Sequence, residues 1–236
     1  MPVYRLLGTF EVRDPAGALL PLGRRKQRAL LAMLVLRAGG VVRGDEIIEA
    51  LWNGQPPSSA RANLHSYVSA LRRVLPAGPE SVPGGYRLDV APGESDVALF
   101  ETLAAEGRKA LDEWQHLRAA ERLAHALGLW RGAALEDLTD LDWFEPYAAR
   151  LAEARLAALE DQSEARLALG EHAALAVELA ARTADHPLRE RLWATWLRAL
   201  HRTGDRARAL DAYGRMCSIL DAELGIEPGP ALREVH

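Results

Sequence analysis

The residues best suited to recognition chemistry lie between Ser58 and Leu75. On a helix, the apolar residues Leu64, Val68, Leu71 and Leu75 are spaced 4, 3 and 4 apart and form one buried stripe. The opposite face then presents Arg61, Ala62, His65, Ser66, Ser69, Arg72 and Arg73, with Asn63 and Tyr67 at its margins. Small, hydrogen-bonding side chains occupy the early turns and arginines the last one. An α-helix fits the major groove of B-DNA, where short polar side chains reach base edges and arginines neutralise phosphates or read guanine. No acidic residue occurs from Gln55 to Ala77, whereas an ordinary solvated face mixes both signs.

Two smaller groups suit the same chemistry. Arg24, Arg25 and Lys26 stand at the start of a helix, where basic side chains and free backbone N–H groups together favour a phosphate. Simple solubility explains that triplet nearly as well. Gly85 and Arg87, at the Gly84-Gly85 turn, would carry a hairpin tip into the neighbouring minor groove. Catalytic signatures are missing. The chain has no phosphate loop, no G-x-G-x-x-G after a strand, no G-x-S-x-G elbow and no H-E-x-x-H. Its seven histidines never pair at metal-ligand spacing, and Cys217 is alone, so no enzyme activity, metal or cofactor is expected.

The elements that must position these residues can be read in order. Tyr4, Leu6, Leu7, Phe10 and Val12 form short strand-like runs broken by Gly8, with Asp14-Pro15-Ala16-Gly17 as a turn, so a small antiparallel sheet opens the chain. A first helix is predicted from Arg24 to Arg37, ended by Gly39-Gly40. Val41-Val42 is an extended link, and Asp45 is suited to cap a second helix carrying Ile47, Ile48, Leu51 and Trp52. After the break at Asn53 to Pro57, Ser58 or Ser59 caps the third helix. Ser81-Val82 and the alternating Tyr86 to Val90 flank Pro83-Gly84-Gly85 as a hairpin. Strands, three helices and a hairpin make a winged helix-turn-helix.

Beyond Ala91-Pro92-Gly93 the strand signal disappears, which divides the chain into a DNA-binding domain at 1–92 and a helical domain at 93–236. Helices are predicted at about 96–111, 114–129, 142–169, 172–184, 187–202 and 205–222. Leu169-Gly170-Glu171 recurs as Thr203-Gly204-Asp205, with the glycines 34 residues apart, the period of tetratricopeptide helix pairs. Pro187 is placed to open the helix that follows it. The fold class is therefore mainly α: a winged helix with a small sheet and a wing, followed by an all-α, tetratricopeptide-like domain.

The net charge of −4 conceals an asymmetry. Residues 1–95 hold 12 Lys and Arg against 8 Asp and Glu, and the remainder holds 17 against 25, a basic head on an acidic body. With no leader-like N-terminus and no apolar run of membrane length, a cytoplasmic protein without a membrane partner is expected.

Several strings in the sequence match a known family. They include Lys26-Gln27-Arg28-Ala29-Leu30-Leu31-Ala32, Tyr67-Val68-Ser69-Ala70-Leu71-Arg72-Arg73, Gly85-Tyr86-Arg87-Leu88, Leu129-Trp130-Arg131-Gly132, His186-Pro187-Leu188-Arg189-Glu190 and Glu223-Leu224-Gly225-Ile226-Glu227-Pro228-Gly229-Pro230. In these strings, which span nearly the whole chain, the protein resembles the Streptomyces antibiotic regulatory protein family, which joins an OmpR-type winged helix to a bacterial transcriptional activation domain. The resemblance implies two protomers, as a homodimer on DNA, on direct repeats near a promoter −35 region. It also implies recruitment of RNA polymerase through its sigma and other subunits, and a secondary-metabolite gene cluster as target. One departure is Asp112-Glu113-Trp114, which stands where the family has a glycine between the first helix pair. Apart from the resemblance, the alternative is a helical scaffold whose winged helix does not bind DNA specifically.

Overall fold

The computed structural model describes residues 4–236. Among them the chain is mainly α-helical, with ten α-helices and two small antiparallel sheets. It divides into two compact units, the residues up to Leu103 with Ala126–Arg155, and Ala104–His125 with Leu156–His236.

In the first unit β1 (Tyr4–Arg5) pairs with β2 (Glu11–Val12). Helix α1 (Arg25–Leu36) buries every residue from Ala29 to Val35, as a helix apolar on all sides must. Next come β3 (Val42–Arg43), α2 (Gly44–Leu51), α3 (Ala60–Val74), β4 (Glu80–Val82) and β5 (Gly85–Arg87). The second sheet has the order β3-β5-β4, with Val42 opposite Tyr86 and Ser81 opposite Tyr86 from the other side. The segment expected as an extended link is thus the third strand of the wing sheet, because Val42 is buried there beside Tyr86. Asp45 does not cap α2; the N-cap position is Arg43, and Asp45 and Glu46 fall in the first turn, where their charge favours the helix dipole. Ser59 is the N-cap position of α3, but its hydroxyl accepts from the Asn63 amide at 3.2 Å.

The first unit also takes in part of the chain beyond residue 92. The N–H groups of Leu6 and Leu7 donate to the two carboxylate oxygens of Asp96 at 2.7 and 3.1 Å. The carbonyls of the same two residues accept from the N–H groups of Leu135 and Arg131 at 2.9 and 2.8 Å. A buried stretch with no neighbouring strand must find such partners elsewhere. Asp137 accepts from the Phe10 N–H at 2.8 Å and pairs with Arg28 at 2.7 Å, and Phe100 meets Trp130 edge-on at 5.3 Å.

Helices α4 (Asp96–Asp112) and α6 (Glu145–Ala168) run through both units, and α5 is His116–Gly128. The second unit is completed by α7 (His172–Asp185), α8 (Glu190–Arg202), α9 (Arg206–Leu224) and α10 (Pro230–Val235). The expected helices are all present; α10 is additional. Pro187 does not open α8, whose N-cap is Arg189; it lies in the preceding turn and its carbonyl accepts from the Trp193 indole N–H at 3.0 Å.

The recurring glycines close their helices identically. Gly170 and Gly204 have φ of +89° and +83°, and each donates its N–H three residues back while the next residue donates five back. Trp114 and Gln115 make the same two bonds, to Leu111 and Ala110, with Trp114 at φ +60°. A tryptophan is thus forced into the left-handed region that glycine occupies in the other two turns, and that ring is 81% exposed. Trp114→Gly is expected to stabilise the chain by up to about 1 kcal/mol by relieving this strain, seen as a higher thermal midpoint. An unchanged or lower midpoint would show that the turn carries no strain.

Candidate nucleic-acid interface

Helix α3 buries Ala60, Leu64, Val68 and Leu71, with Leu75 buried just beyond it. Arg61, His65, Ser66, Ser69, Arg72 and Arg73 are exposed and Asn63 half-buried on the other side, as the spacing required. The His65 ring nitrogen Nδ1 and the Tyr86 hydroxyl share a hydrogen bond at 3.2 Å, which fixes α3 against β5. Trp52 stacks on Tyr67 with ring centroids 6.4 Å apart, so the break after α2 is held against α3.

The two neighbouring arginines near the end of α3 differ in surroundings. Arg72 donates from Nε to the Pro79 carbonyl at 2.7 Å and from Nη2 to the Ser81 hydroxyl at 2.9 Å, tying α3 to β4. Arg73 makes a long bond to the Ser69 carbonyl, at 3.4 Å, and has no ion pair among the described residues. Arg61 pairs with Asp45 at 3.0 Å with both side chains exposed. On the wing, Arg87 lies between Glu80 at 2.8 Å and Asp89 at 3.5 Å; the Glu80 hydrogen bond and both charges hold its guanidinium above the usual arginine range.

Gly85 is required for packing. A side chain there would overlap the Val42 carbonyl across the β3–β5 pair. Gly85→Ala is expected to cost about 2 kcal/mol by displacing β3, with a lower thermal midpoint as the readout. A substitution tolerated without loss would place the strand pairing in error.

The basic triplet at α1 is divided. Arg24 is exposed, with no ion pair among the described residues. Arg25 pairs with Asp140 and donates to the Asp137 carbonyl at 3.2 Å. Lys26 reaches the Leu51 carbonyl and lies 4.2 Å from the Trp52 ring centre, and burial, then the neighbouring Arg25, lower its pKa. Two of the three cations are therefore already partnered within the first unit. Sequence inspection missed Arg43, exposed and without an ion pair among the described residues at the N-cap of α2, opposite Gly85 in the β3–β5 pair. It ends a two-residue strand just before the acidic first turn of α2, a stretch too short to give a periodic signal. Among the described residues, no helix is long and apolar enough to cross a membrane.

The fold is that of a winged helix joined to a helical domain. Residues 21–88 match the family model described as transcriptional regulatory protein, C terminal, and residues 95–236 match the bacterial transcriptional activator domain. The chain belongs to the Streptomyces antibiotic regulatory protein family of transcriptional activators. It is 38% identical to the regulatory protein DnrI of Streptomyces peucetius over 243 residues, 98% of this chain and 89% of that protein. It is 40% identical to the transcriptional regulatory protein EmbR of Mycobacterium tuberculosis, covering 99% of this chain and 62% of EmbR. The chain thus spans under two thirds of EmbR. Identity to the regulatory protein AfsR of Streptomyces coelicolor is 41% over 93% of this chain and 22% of AfsR. A solved structure of Mycobacterium tuberculosis EmbR, in complex with a low affinity phosphopeptide, superposes with a TM-score of 0.91 at 38% identity, over 98% of this chain and 63% of that one.

Proposed function

We propose that the chain binds promoter DNA in a sequence-specific manner and activates transcription by recruiting RNA polymerase through sigma and other subunits. In this reading 1–92 binds DNA and 93–236 makes the protein contacts. Two protomers sit on direct repeats near a −35 region, and the target is a secondary-metabolite gene cluster. The observation that carries it is the α3 face, where Asn63, His65, Ser66 and Ser69 stand clear of the core ahead of Arg73, with no acidic residue from Gln55 to Ala77. Those four residues read base edges in the major groove, and Arg61 and Arg73 contact phosphates. Arg72 positions the wing, and Arg87 follows it into the minor groove once phosphates replace Glu80 and Asp89. Arg24 and Arg43 add phosphate contacts, and Arg25 and Lys26 contribute mainly through the field they set up at α1. Catalysis, metals and cofactors have no part in this mechanism, and the protein acts in the cytoplasm, where its promoter targets are.

The test is selection of bound sequences from a random DNA pool with the purified chain, then affinity at two salt concentrations for the best site and a scrambled one. A directly repeated motif and a steep salt dependence are expected. Sequence-blind or absent binding would overturn this reading in favour of a protein-binding scaffold.

A further inference from the structure

The second unit contains a groove of about 990 Å³ walled by the α4–α5 turn, α6, α8 and α10. Leu111, Leu167, Ala194 and Leu232 supply its apolar lining. Its charge is less ordinary. The acidic groups that line it are already engaged: Asp112 with Arg108 at 3.3 Å, Glu164 with Arg191 at 2.9 Å, and Glu190 with the Gly229 N–H at 2.7 Å. Arg198 and Arg202 are not. They stand one helical turn apart on α8, and neither has an ion pair among the described residues. The unit as a whole holds 14 Lys and Arg against 17 Asp and Glu, so this unneutralised pair runs against the surrounding charge.

Trp114 also lines this groove, strained at φ +60° and 81% exposed, with its ring edge-on to His116 at 5.9 Å. The His116 Nδ1 is buried without a hydrogen-bond partner. A large aromatic ring held exposed at a conformational cost, beside unpaired arginines and an apolar floor, has the composition of a binding hot spot.

We propose that this groove docks an acidic peptide segment of a partner protein, with carboxylates on Arg198 and Arg202 and an apolar side chain against Trp114. Separate carboxylates spaced along a peptide match arginines one turn apart.

The test is fluorescence anisotropy with a labelled twelve-residue peptide of alternating Asp or Glu and Leu or Phe, added to the full chain. Saturable binding with a change in tryptophan emission is expected. Arg198→Ala with Arg202→Ala weakens it about tenfold or more, as removal of two charged partners requires. Trp114→Gly weakens it while the thermal midpoint does not fall, which separates a damaged docking surface from a damaged fold. Affinity for the selected DNA, measured in parallel, stays unchanged in these variants, so this proposal and the DNA reading fail separately. Absence of binding, binding indifferent to both arginines, or equal binding of a peptide with Lys for every acid would overturn the proposal.

Discussion

A fragment ending at residue 92 is expected to melt far below the full chain, and Asp96→Ala in the full chain to reproduce about 3 kcal/mol of that loss. Asp96 is 1% exposed, and its two oxygens are the partners of the Leu6 and Leu7 N–H groups. Removing it leaves two buried donors unpaired, each worth about 1–3 kcal/mol, partly offset because a buried charge is also removed. The fragment further loses Arg131 and Leu135, which serve the carbonyls of the same two residues, and the Asp137 carboxylate on Phe10 and Arg28. A fragment extended to residue 155 restores all of these groups and is expected to regain most of the midpoint. Equal melting of the short fragment and the full chain would refute this. The charge on Asp96 also sets a pH signature. Burial raises its pKa, against the lowering effects of the Leu6 and Leu7 N–H groups and then Arg131. A carboxyl with a raised folded pKa binds its proton more readily in the folded state. Its contribution is therefore greatest at pH below the unfolded value near 4 and declines as pH rises through the folded value. Asp96→Ala should remove that decline, visible as a flatter dependence of the thermal midpoint on pH.

Local periodicity made most of this architecture legible, because helices such as α3, α5 and α8 repeat apolar residues on one face, and that pattern needs no knowledge of neighbours; α6, which buries Glu160, Asp161 and Ser163, is the exception. The segment from Trp130 to Phe144 carries no such period; its place is fixed by backbone groups of Leu6 and Leu7, at the other end of the first unit's sequence. Its acids Asp137 and Asp140 look like ordinary surface charge until they are found on Arg28 and Arg25. Strand β3 escaped for a related reason: two residues have no alternation to read, and only pairing with Tyr86 and Gly85 defines them. The turn at Trp114 was visible as a missing glycine, whereas the strain it carries belongs to φ and could not be. On the exposed face of α3 the sequence places Arg72 and Arg73 together as equals, and only the folded chain shows that one is fastened to the wing while the other makes a long bond within its own helix.

That difference yields the second large effect. Replacing Arg43, Arg61 and Arg73 together by Ala is expected to lower affinity for the selected site roughly a hundredfold, and to reduce the salt slope by about 0.9 for each phosphate that is no longer neutralised. The thermal midpoint should stay near that of the parent, because Arg43 and Arg73 have no ion pair among the described residues and the Arg61–Asp45 pair is exposed on both sides and contributes little. Arg72→Ala should behave differently, lowering midpoint and affinity together, since the Pro79 carbonyl and Ser81 hydroxyl lose their donor and the wing loses its tie to α3. Changes at Asn63, His65, Ser66 or Ser69 should instead move sequence preference, by about 1–3 kcal/mol per altered base pairing, with the salt slope intact. If the triple variant kept both its affinity and its salt slope, the α3 face would not be the surface that meets phosphate, however well its shape suits a major groove. If Arg72→Ala lowered the slope with no change in midpoint, Arg72 would bind a phosphate after all, and its bonds to the wing would be those of the DNA-free protein only.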